Sequence, residues 1–177
     1  MSDNIKNLEK VPFYKYTPPS WDRWFMKQVY LVAEKSKDPS TKIGAVLVRD
    51  NHIISSGYNG FPIGVKDKES RYNDRQEKYR FVVHAEDNAV LAAARFGIST
   101  KDAILYTQSV PCCECTKSVI QGGIKEIIIH KQWQLIESSR WDKSTSLTMF
   151  KEAGIPIIVI DAVLDVDGYT DGNRVRI

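Results

Sequence analysis

Residues 104–130, ILYTQSVPCCECTKSVIQGGIKEIIIH, decide the fold. Their apolar ends, Ile104 to Gln108 and Lys125 to His130, have the length and β-branched content of buried strands. Between them, Cys113 to Gln121 predicts a helix that closes at Gly122-Gly123. A strand, a helix and a strand in this order favour parallel pairing. The stretch therefore predicts an α/β fold whose sheet is covered by helices on both faces.

The same alternation extends outward from this stretch. Two short apolar runs separated by Asp50-Asn51 predict a β-hairpin, and an alanine-rich run from Phe81 to Phe96 predicts a helix that stops at Gly97. The charged stretch from Phe61 to Lys78 has little periodicity and is expected to be a long functional loop. The other predicted elements are a helix from Trp21 to about Lys37, a helix near Ser144 to Ala153 and a strand from Ile155 to Ile160.

Length and composition fit one globular domain. The chain has 177 residues, of which 42% are hydrophobic, and no repeat or linker divides it. We expect a single domain over residues 1–177, with a core at about 20–160 between a polar N-terminal arm and an acidic C-terminal tail. The acidic residues of that tail, such as Asp165 and Asp171, do not have EF-hand spacing and predict no calcium site.

Charge and cysteine content limit the possible partners. Lys plus Arg number 25 and Asp plus Glu number 22, so the net charge is only +3 and indicates no nucleic-acid surface. Three cysteines are an odd number that suits no disulfide framework, and they point to a reducing compartment. No apolar run approaches the length of a membrane span. We therefore expect a cytoplasmic protein that binds neither nucleic acid nor membrane.

A histidine and two cysteines have the spacing of a metal site. His84 opens the alanine-rich helix, and Cys112 and Cys115 open the next helix with C-x-x-C spacing, which lets both thiolates reach one ion. Both positions lie at helix N-termini, where the dipole favours thiolates. Three protein ligands leave one tetrahedral position of a zinc ion open for water, which is the arrangement of a catalytic zinc.

Glu86 is the expected proton carrier of this site. It is too close in sequence to His84 to bind the same ion easily, but it is well placed to take a proton from water there. A lone C-x-x-C is often half of a structural zinc site or a redox pair. In combination, H-x-E followed after a strand by P-C-x-x-C is the signature of zinc-dependent deaminases. Cys113 lies between the two ligands and is expected to be a packing or exposed thiol.

Four blocks of sequence carry a resemblance to a known family. They are Asp38 to Ala45, Gly57 to Pro62, His84 to Ala89, and Pro111 to Cys115 with Ile120 to Glu126. Through these blocks the chain resembles the deoxycytidylate (dCMP) deaminases of the cytidine deaminase superfamily. The resemblance implies a three-layer α/β/α fold whose five-stranded mixed sheet has the order 2-1-3-4-5. It also implies a homohexamer that converts dCMP to dUMP and ammonia and so supplies dUMP for thymidylate synthesis.

The resemblance also suggests substrate contacts, each with a structural alternative. Asn59 is expected to contact the sugar or base, although an Asn-Gly pair is also typical of a tight turn. Asn88 is expected to line the nucleotide pocket, or to be a satisfied buried amide. Arg95 is expected to bind the 5′-phosphate, or only to complement the dipole at the end of its helix. Trp133 is expected to lie over the nucleotide, with core packing as the equal alternative.

Regulation is a further implication of the resemblance. dCTP with Mg²⁺ is expected to activate the enzyme and dTTP to inhibit it. The candidate effector residues are Tyr58, Asn59 and Gly60, with Lys42 as a weaker phosphate partner. The remaining histidines and Cys113 offer no second ligand set, so we expect one catalytic Zn²⁺ per subunit.

Three other functions share part of this pattern. A tRNA adenosine deaminase would have the same zinc chemistry, but it would need a basic surface and lacks the block Gly57 to Pro62. A riboflavin-pathway pyrimidine deaminase also shares the signature. A structural-zinc interaction domain would need four protein ligands, and the sequence offers three.

Overall fold

The computed structural model describes residues 19–136 and 143–177. Its helices are α1 (Trp21–Ala33), α2 (Glu69–Asn73), α3 (Arg75–Phe81), α4 (Ala85–Arg95), α5 (Cys113–Gln121), α6 (Lys131–Ile136) and α7 (Ser144–Glu152). Its strands are β1 (Gly44–Arg49), β2 (His52–Tyr58), β3 (Ile104–Thr107), β4 (Glu126–His130), β5 (Ile157–Ile160), β6 (Asp167–Thr170) and β7 (Asn173–Arg176). In these ranges no helix is long and apolar enough to cross a membrane.

Five strands form a mixed sheet in the order β2-β1-β3-β4-β5. Strand β1 pairs antiparallel with both β2 and β3, whereas β3, β4 and β5 pair in parallel. This confirms the predicted order and the predicted parallel half. Helix α5 supplies the crossover from β3 to β4, so its N-terminus lies beyond the carboxyl end of β3, where the C-x-x-C motif begins.

The core lies on both faces of this sheet. Side chains alternate along β1, so Ala45 and Leu47 face one layer while Val46 and Val48 face the other. The first layer contains the alanine stripe of α4 together with α5 and α7, and the second contains α1 and the C-terminal residues Leu164 and Ile177. The three-layer α/β/α prediction is confirmed.

Three sequence expectations need correction. Helix α4 begins at Ala85 rather than at Phe81, because Val83 forms a β-bridge with Gly60 and His84 caps the helix. The charged stretch from Phe61 to Lys78 is not a plain loop, since it contains α2 and most of α3. The acidic tail contains a second, two-stranded sheet, in which β6 pairs antiparallel with β7.

Candidate active site

The predicted metal donors lie together at two helix N-termini. His84 is the N-cap of α4, Cys112 is the N-cap of α5, and Cys115 lies in the first turn of α5. The Sγ atom of Cys112 is 3.3 Å from Nδ1 of His84 and 3.5 Å from Sγ of Cys115, which is itself 3.5 Å from that Nδ1. Among the described residues, this is the cluster of His, Cys and acidic groups that can hold a metal ion.

These distances fit a zinc ion. Tetrahedral bonds of about 2.3 Å to sulfur and about 2.0 Å to nitrogen separate two sulfurs by about 3.8 Å and a sulfur from a nitrogen by about 3.5 Å. The observed separations agree within a few tenths of an ångström. Three converging donors with two soft sulfurs are the ligand set of a catalytic zinc with one open position.

Hydrogen bonds within the donor cluster shift the pKa of each donor. The hydrogen bond from the Cys115 thiol, followed by that from the His84 ring, lowers the pKa of Cys112 to about 4. The same hydrogen bond and its burial raise the pKa of Cys115. The thiolate of Cys112, acting through its hydrogen bond, also raises the pKa of His84 to about 9. Zinc takes both cysteines as thiolates and the histidine as the neutral ring, so metal binding would release the protons that these groups share.

Glu86 faces the same cavity as the donor cluster. Its side chain is 6% exposed, and burial raises the pKa of its carboxyl to about 7. His84 and Cys112 line this cavity as well, so the carboxyl and the metal donors open to one space. The position of α4 that allows this depends on Gly57 of β2, because a Cβ there would lie 2.3 Å from backbone atoms of Ala85 and Ala89.

The remaining cavity wall comes from six other parts of the chain. It includes Asp38, Ser40, Thr41, Ile43, Asn59, Lys78, Tyr79, Val82, Ser109, Val110, Lys143 and Thr170. Lys78 and Asp38 form a buried ion pair, with Nζ 3.1 Å from Oδ2. On another part of the wall, Lys143 donates to the hydroxyl of Ser109 at 2.6 Å. The wall therefore combines hydroxyl groups and the ammonium of Lys143 with apolar side chains such as Val82 and Val110, which suits a polar, anionic small molecule.

Asn59 lies in the cavity wall, as predicted, but its amide is used to hold a neighbouring segment. Its Oδ1 accepts from the backbone amide of Ile43 at 2.8 Å, and its Nδ2 donates to the carbonyl of Thr41 at 2.9 Å. Nδ2 also donates to Asp38 at 3.4 Å. Asn59 thus fixes the wall, and its contact with a substrate stays a prediction.

The other residues of the predicted binding loops lie beside the cavity. Asn88 donates to the carbonyl of Tyr58 at 2.8 Å, which ties α4 to the end of β2. The Tyr58 side chain is 40% exposed. Gly60 exchanges two backbone hydrogen bonds with Val83. The ammonium of Lys42 lies over the ring of Tyr169, 5.2 Å from its centre. Asn88, Tyr58, Gly60 and Lys42 are not among the residues that line the described cavity.

Arg95 and Trp133 lie away from the cavity, and both expectations need correction. Arg95 is exposed at the last turn of α4, about 15 Å along the helix from His84. Trp133 is completely buried in the core beneath α1, where its ring packs against Tyr30. Within the described chain Arg95 is a cation at a helix C-terminus, and Trp133 is a core-packing residue; both are the structural alternatives given above.

Sequence reasoning missed Lys78, Ser109, Lys143 and Thr170 as wall residues. Lys78 lies in a charged stretch without periodicity, which gives no sign that one lysine is buried. Ser109 was more accessible to prediction, because it lies between β3 and the Pro-Cys motif, at the carboxyl end of the strand. Thr170 lies far along the sequence in the acidic tail, and only tertiary packing brings it to the cavity.

The fold and the donor set define the class of zinc-dependent hydrolytic deaminases: three metal donors lie together, and two of them, His84 and Cys112, open to the same cavity as the buried carboxyl of Glu86. Residues 19–131 match the family model described as the cytidine and deoxycytidylate deaminase zinc-binding region. The chain therefore belongs to this family.

Relatives agree with this assignment. An uncharacterized deaminase of the luxG 3′ region of Aliivibrio fischeri is 35% identical over 139 residues, which are 77% of this chain and 91% of that protein. Deoxycytidylate deaminase of Mus musculus is 36% identical over 145 residues, which are 76% of each chain. A solved dCMP deaminase from the cyanophage S-TIM5, in complex with dCMP and dUMP, has a TM-score of 0.62 at 23% identity, covering 82% of this chain and 100% of that one. At that identity the structural likeness supports the fold.

Proposed function

We propose that this protein catalyses the hydrolytic deamination of dCMP to dUMP and ammonia. The observation that carries the proposal is the shared cavity, into which the metal donors His84 and Cys112 and the buried carboxyl of Glu86 all open. The similarity to the mouse deoxycytidylate deaminase supports the choice of substrate.

Glu86 has the central role in the proposed mechanism. A zinc ion held by His84, Cys112 and Cys115 would supply a water whose pKa is near neutrality. Glu86 accepts one proton from that water and passes it to N3 as the oxygen adds to C4 of the cytosine. It then takes the remaining proton of the added hydroxyl and passes it to the amine nitrogen as the C4–N4 bond breaks, so that one water is consumed and one ammonia is released. Burial of the carboxyl keeps bulk water from competing for these protons.

The cavity wall supports a nucleotide rather than a nucleoside as substrate. Lys143 lines the cavity and donates to the hydroxyl of Ser109, whereas Lys78 is engaged by the carboxylate of Asp38. A phosphate beside Lys143 and Ser109 would gain a charge-assisted hydrogen bond that cytidine cannot make. We propose this end of the cavity, in place of Arg95, for the 5′-phosphate.

The test is an ammonia-release assay on zinc-loaded protein with dCMP, dCTP, cytidine and tRNA, each with and without dCTP as effector. We expect dCMP to have the highest kcat/KM, and cytidine to fall behind it mainly through a higher KM. Deamination of adenosine in tRNA, or equal kcat/KM for cytidine and dCMP, would contradict the proposal.

Regulation is a separate part of the proposal. We propose a cytoplasmic homohexamer that dCTP with Mg²⁺ activates and dTTP inhibits. The block from Gly57 to Phe61 supports this, because Tyr58 is exposed while the amide of its neighbour Asn59 holds the cavity wall. An effector that prefers one state of this block by about 2 kcal/mol would change the apparent substrate affinity roughly thirtyfold.

Kinetics and sedimentation test the regulation. The rate curve for dCMP should be sigmoidal alone, hyperbolic with dCTP and Mg²⁺, and depressed by dTTP, and Tyr58→Ala should weaken all three effects while zinc is retained. Sedimentation should give six subunits. Hyperbolic kinetics that ignore both triphosphates would refute the regulatory part and leave the proposed reaction standing.

A further inference from the structure

The hairpin formed by β6 and β7 reaches the wall of the active-site cavity, although it lies outside residues 19–131, which match the family. The carbonyl of Tyr169 accepts the backbone amide of Lys42 at 3.0 Å. The backbone amide of Gly172 donates to the carbonyl of Ser40 at 2.8 Å. Thr170, between these two contacts, is 7% exposed and lines the cavity.

The hairpin is itself packed against the core. Gly168 of β6 lies so close to Trp133 that a Cβ at this glycine would be 2.8 Å from the indole ring. The chain end is buried as well: Ile177 is 6% exposed, and its backbone amide donates to the carbonyl of Val166 at 2.9 Å. Trp133 therefore supports the hairpin. The hairpin in turn holds Ser40 and Lys42 in place through its backbone hydrogen bonds.

The segment that the hairpin contacts, residues 38–43, is a wall of the cavity. On its inner side Asn59 binds the segment, and Gln108 at the end of β3 donates from Nε2 to the carbonyl of Lys42 at 3.0 Å. On its outer side the hairpin supplies the contacts to Ser40 and Lys42. Loss of the outer contacts would leave a short irregular segment bound from one side, and its hydroxyl-bearing residues would no longer have one position.

We propose that the C-terminal hairpin is a positioning element of the active site, which sets substrate affinity by fixing residues 38–43 and by placing Thr170 in the cavity wall. The contacts of the hairpin are with this wall rather than with the metal donors or Glu86, so its role is in binding rather than in proton transfer. This inference rests on the proposed deamination of a pyrimidine nucleotide in the same cavity.

One pair of variants tests the hairpin turn. Asp171 and Gly172 both have positive φ, 51° and 76°, so valine at position 172 strains the turn that presents the amide to Ser40. Gly154 also has positive φ, 70°, a Cβ added there would have nothing within 4 Å, and it lies outside the cavity wall. Gly154→Val is therefore the matched control for general destabilisation.

With zinc-loaded proteins assayed well below their melting temperatures, Gly172→Val should raise KM for dCMP about fivefold to tenfold, as expected for the loss of one or two hydrogen bonds. Its kcat should stay within about twofold. Hydrogen exchange of the Lys42 amide should become faster, which reports loss of the hairpin contact without any turnover. Gly154→Val should lower the melting temperature and leave KM and this exchange unchanged.

A second pair tests Thr170 itself. Thr170→Val preserves the shape and removes the hydroxyl, so KM should rise, whereas Thr170→Ser should restore it. Unchanged KM in both Gly172→Val and Thr170→Val, or an equal rise in Gly154→Val, would overturn the hairpin's role. If the wild-type protein deaminates a different pyrimidine, the proposed substrate is wrong, and the same comparison with that substrate still decides the role of the hairpin.

Discussion

Replacing Lys78 by methionine should destabilise the protein strongly, because this lysine is one half of a buried ion pair. Its Nζ lies 3.1 Å from Oδ2 and 3.2 Å from Oδ1 of Asp38, and the two side chains are 8% and 4% exposed. Methionine has a similar length and fills the space of the lysine stem without its charge. Asp38 would then stay buried without its cation.

The size of the stability loss depends on the hydrogen-bond donors that Asp38 retains in the variant. Removing one partner of a buried ion pair costs about 3–5 kcal/mol. Asp38 still accepts the backbone amides of Ser40 at 2.8 Å and Thr41 at 3.2 Å, and the amide of Asn59 at 3.4 Å. Because these donors continue to stabilise the carboxylate, we expect the lower end, about 3 kcal/mol of unfolding free energy.

Urea unfolding of Lys78→Met and the wild-type protein measures this difference. Lys37→Met is the control, since Lys37 forms a short ion pair with Asp67 whose side chains are 68% and 34% exposed. Exposed pairs contribute little, so the unfolding midpoint of the control should hardly move. If Lys78→Met and Lys37→Met shift the midpoint equally, the reasoning about the buried pair is wrong.

Three further predictions concern the metal ligands, the helix that carries Glu86 and the core histidine. Cys112→Ser should lose bound zinc on metal analysis while Cys113→Ser keeps it; equal loss would refute the ligand assignment. Gly57→Ala should lower turnover, and overpacking should lower the free energy of unfolding by about 1–3 kcal/mol and with it the melting temperature, because α4 must move away from the added methyl; wild-type turnover would refute this. Burial lowers the pKa of His130, so below about pH 6.5 the unfolded chain takes up a proton that the folded chain does not. Stability should therefore fall as pH falls from there, and the fall should be shallower in His130→Gln; an identical slope would show that another group is responsible.

Periodicity and turn residues predicted most of the sheet. Helix α5 spans Cys113–Gln121 as predicted, since an N-terminal Pro-Cys pair and a C-terminal Gly-Gly pair mark both ends. The same signals placed Cys112 and Cys115 at the start of α5. Local sequence carries this information because caps and glycines act within one turn.

The missed features depend on tertiary packing. The aromatic ring of Trp133 could stack on a nucleotide or pack in the core. Its place in the core depends on Gly168 and Tyr30, which lie far from it in the sequence and pack against it in the fold. The acidic residues of β6 and β7 conceal the hairpin, although Asp171-Gly172 between Thr170 and Asn173 is a typical hairpin turn. At this place the turn signal is a better guide to the structure than the polar composition.

The most direct test of the proposed chemistry measures zinc content and dCMP turnover of Glu86→Gln beside the wild-type protein. The three metal donors remain in the variant, so it should bind one zinc ion per chain, as the wild type should. Its kcat should fall by about 10²-fold to 10⁴-fold, because glutamine cannot carry protons between water, the base and the leaving amine. A zinc-loaded Glu86→Gln protein that released ammonia from dCMP at the wild-type rate would contradict the central claim.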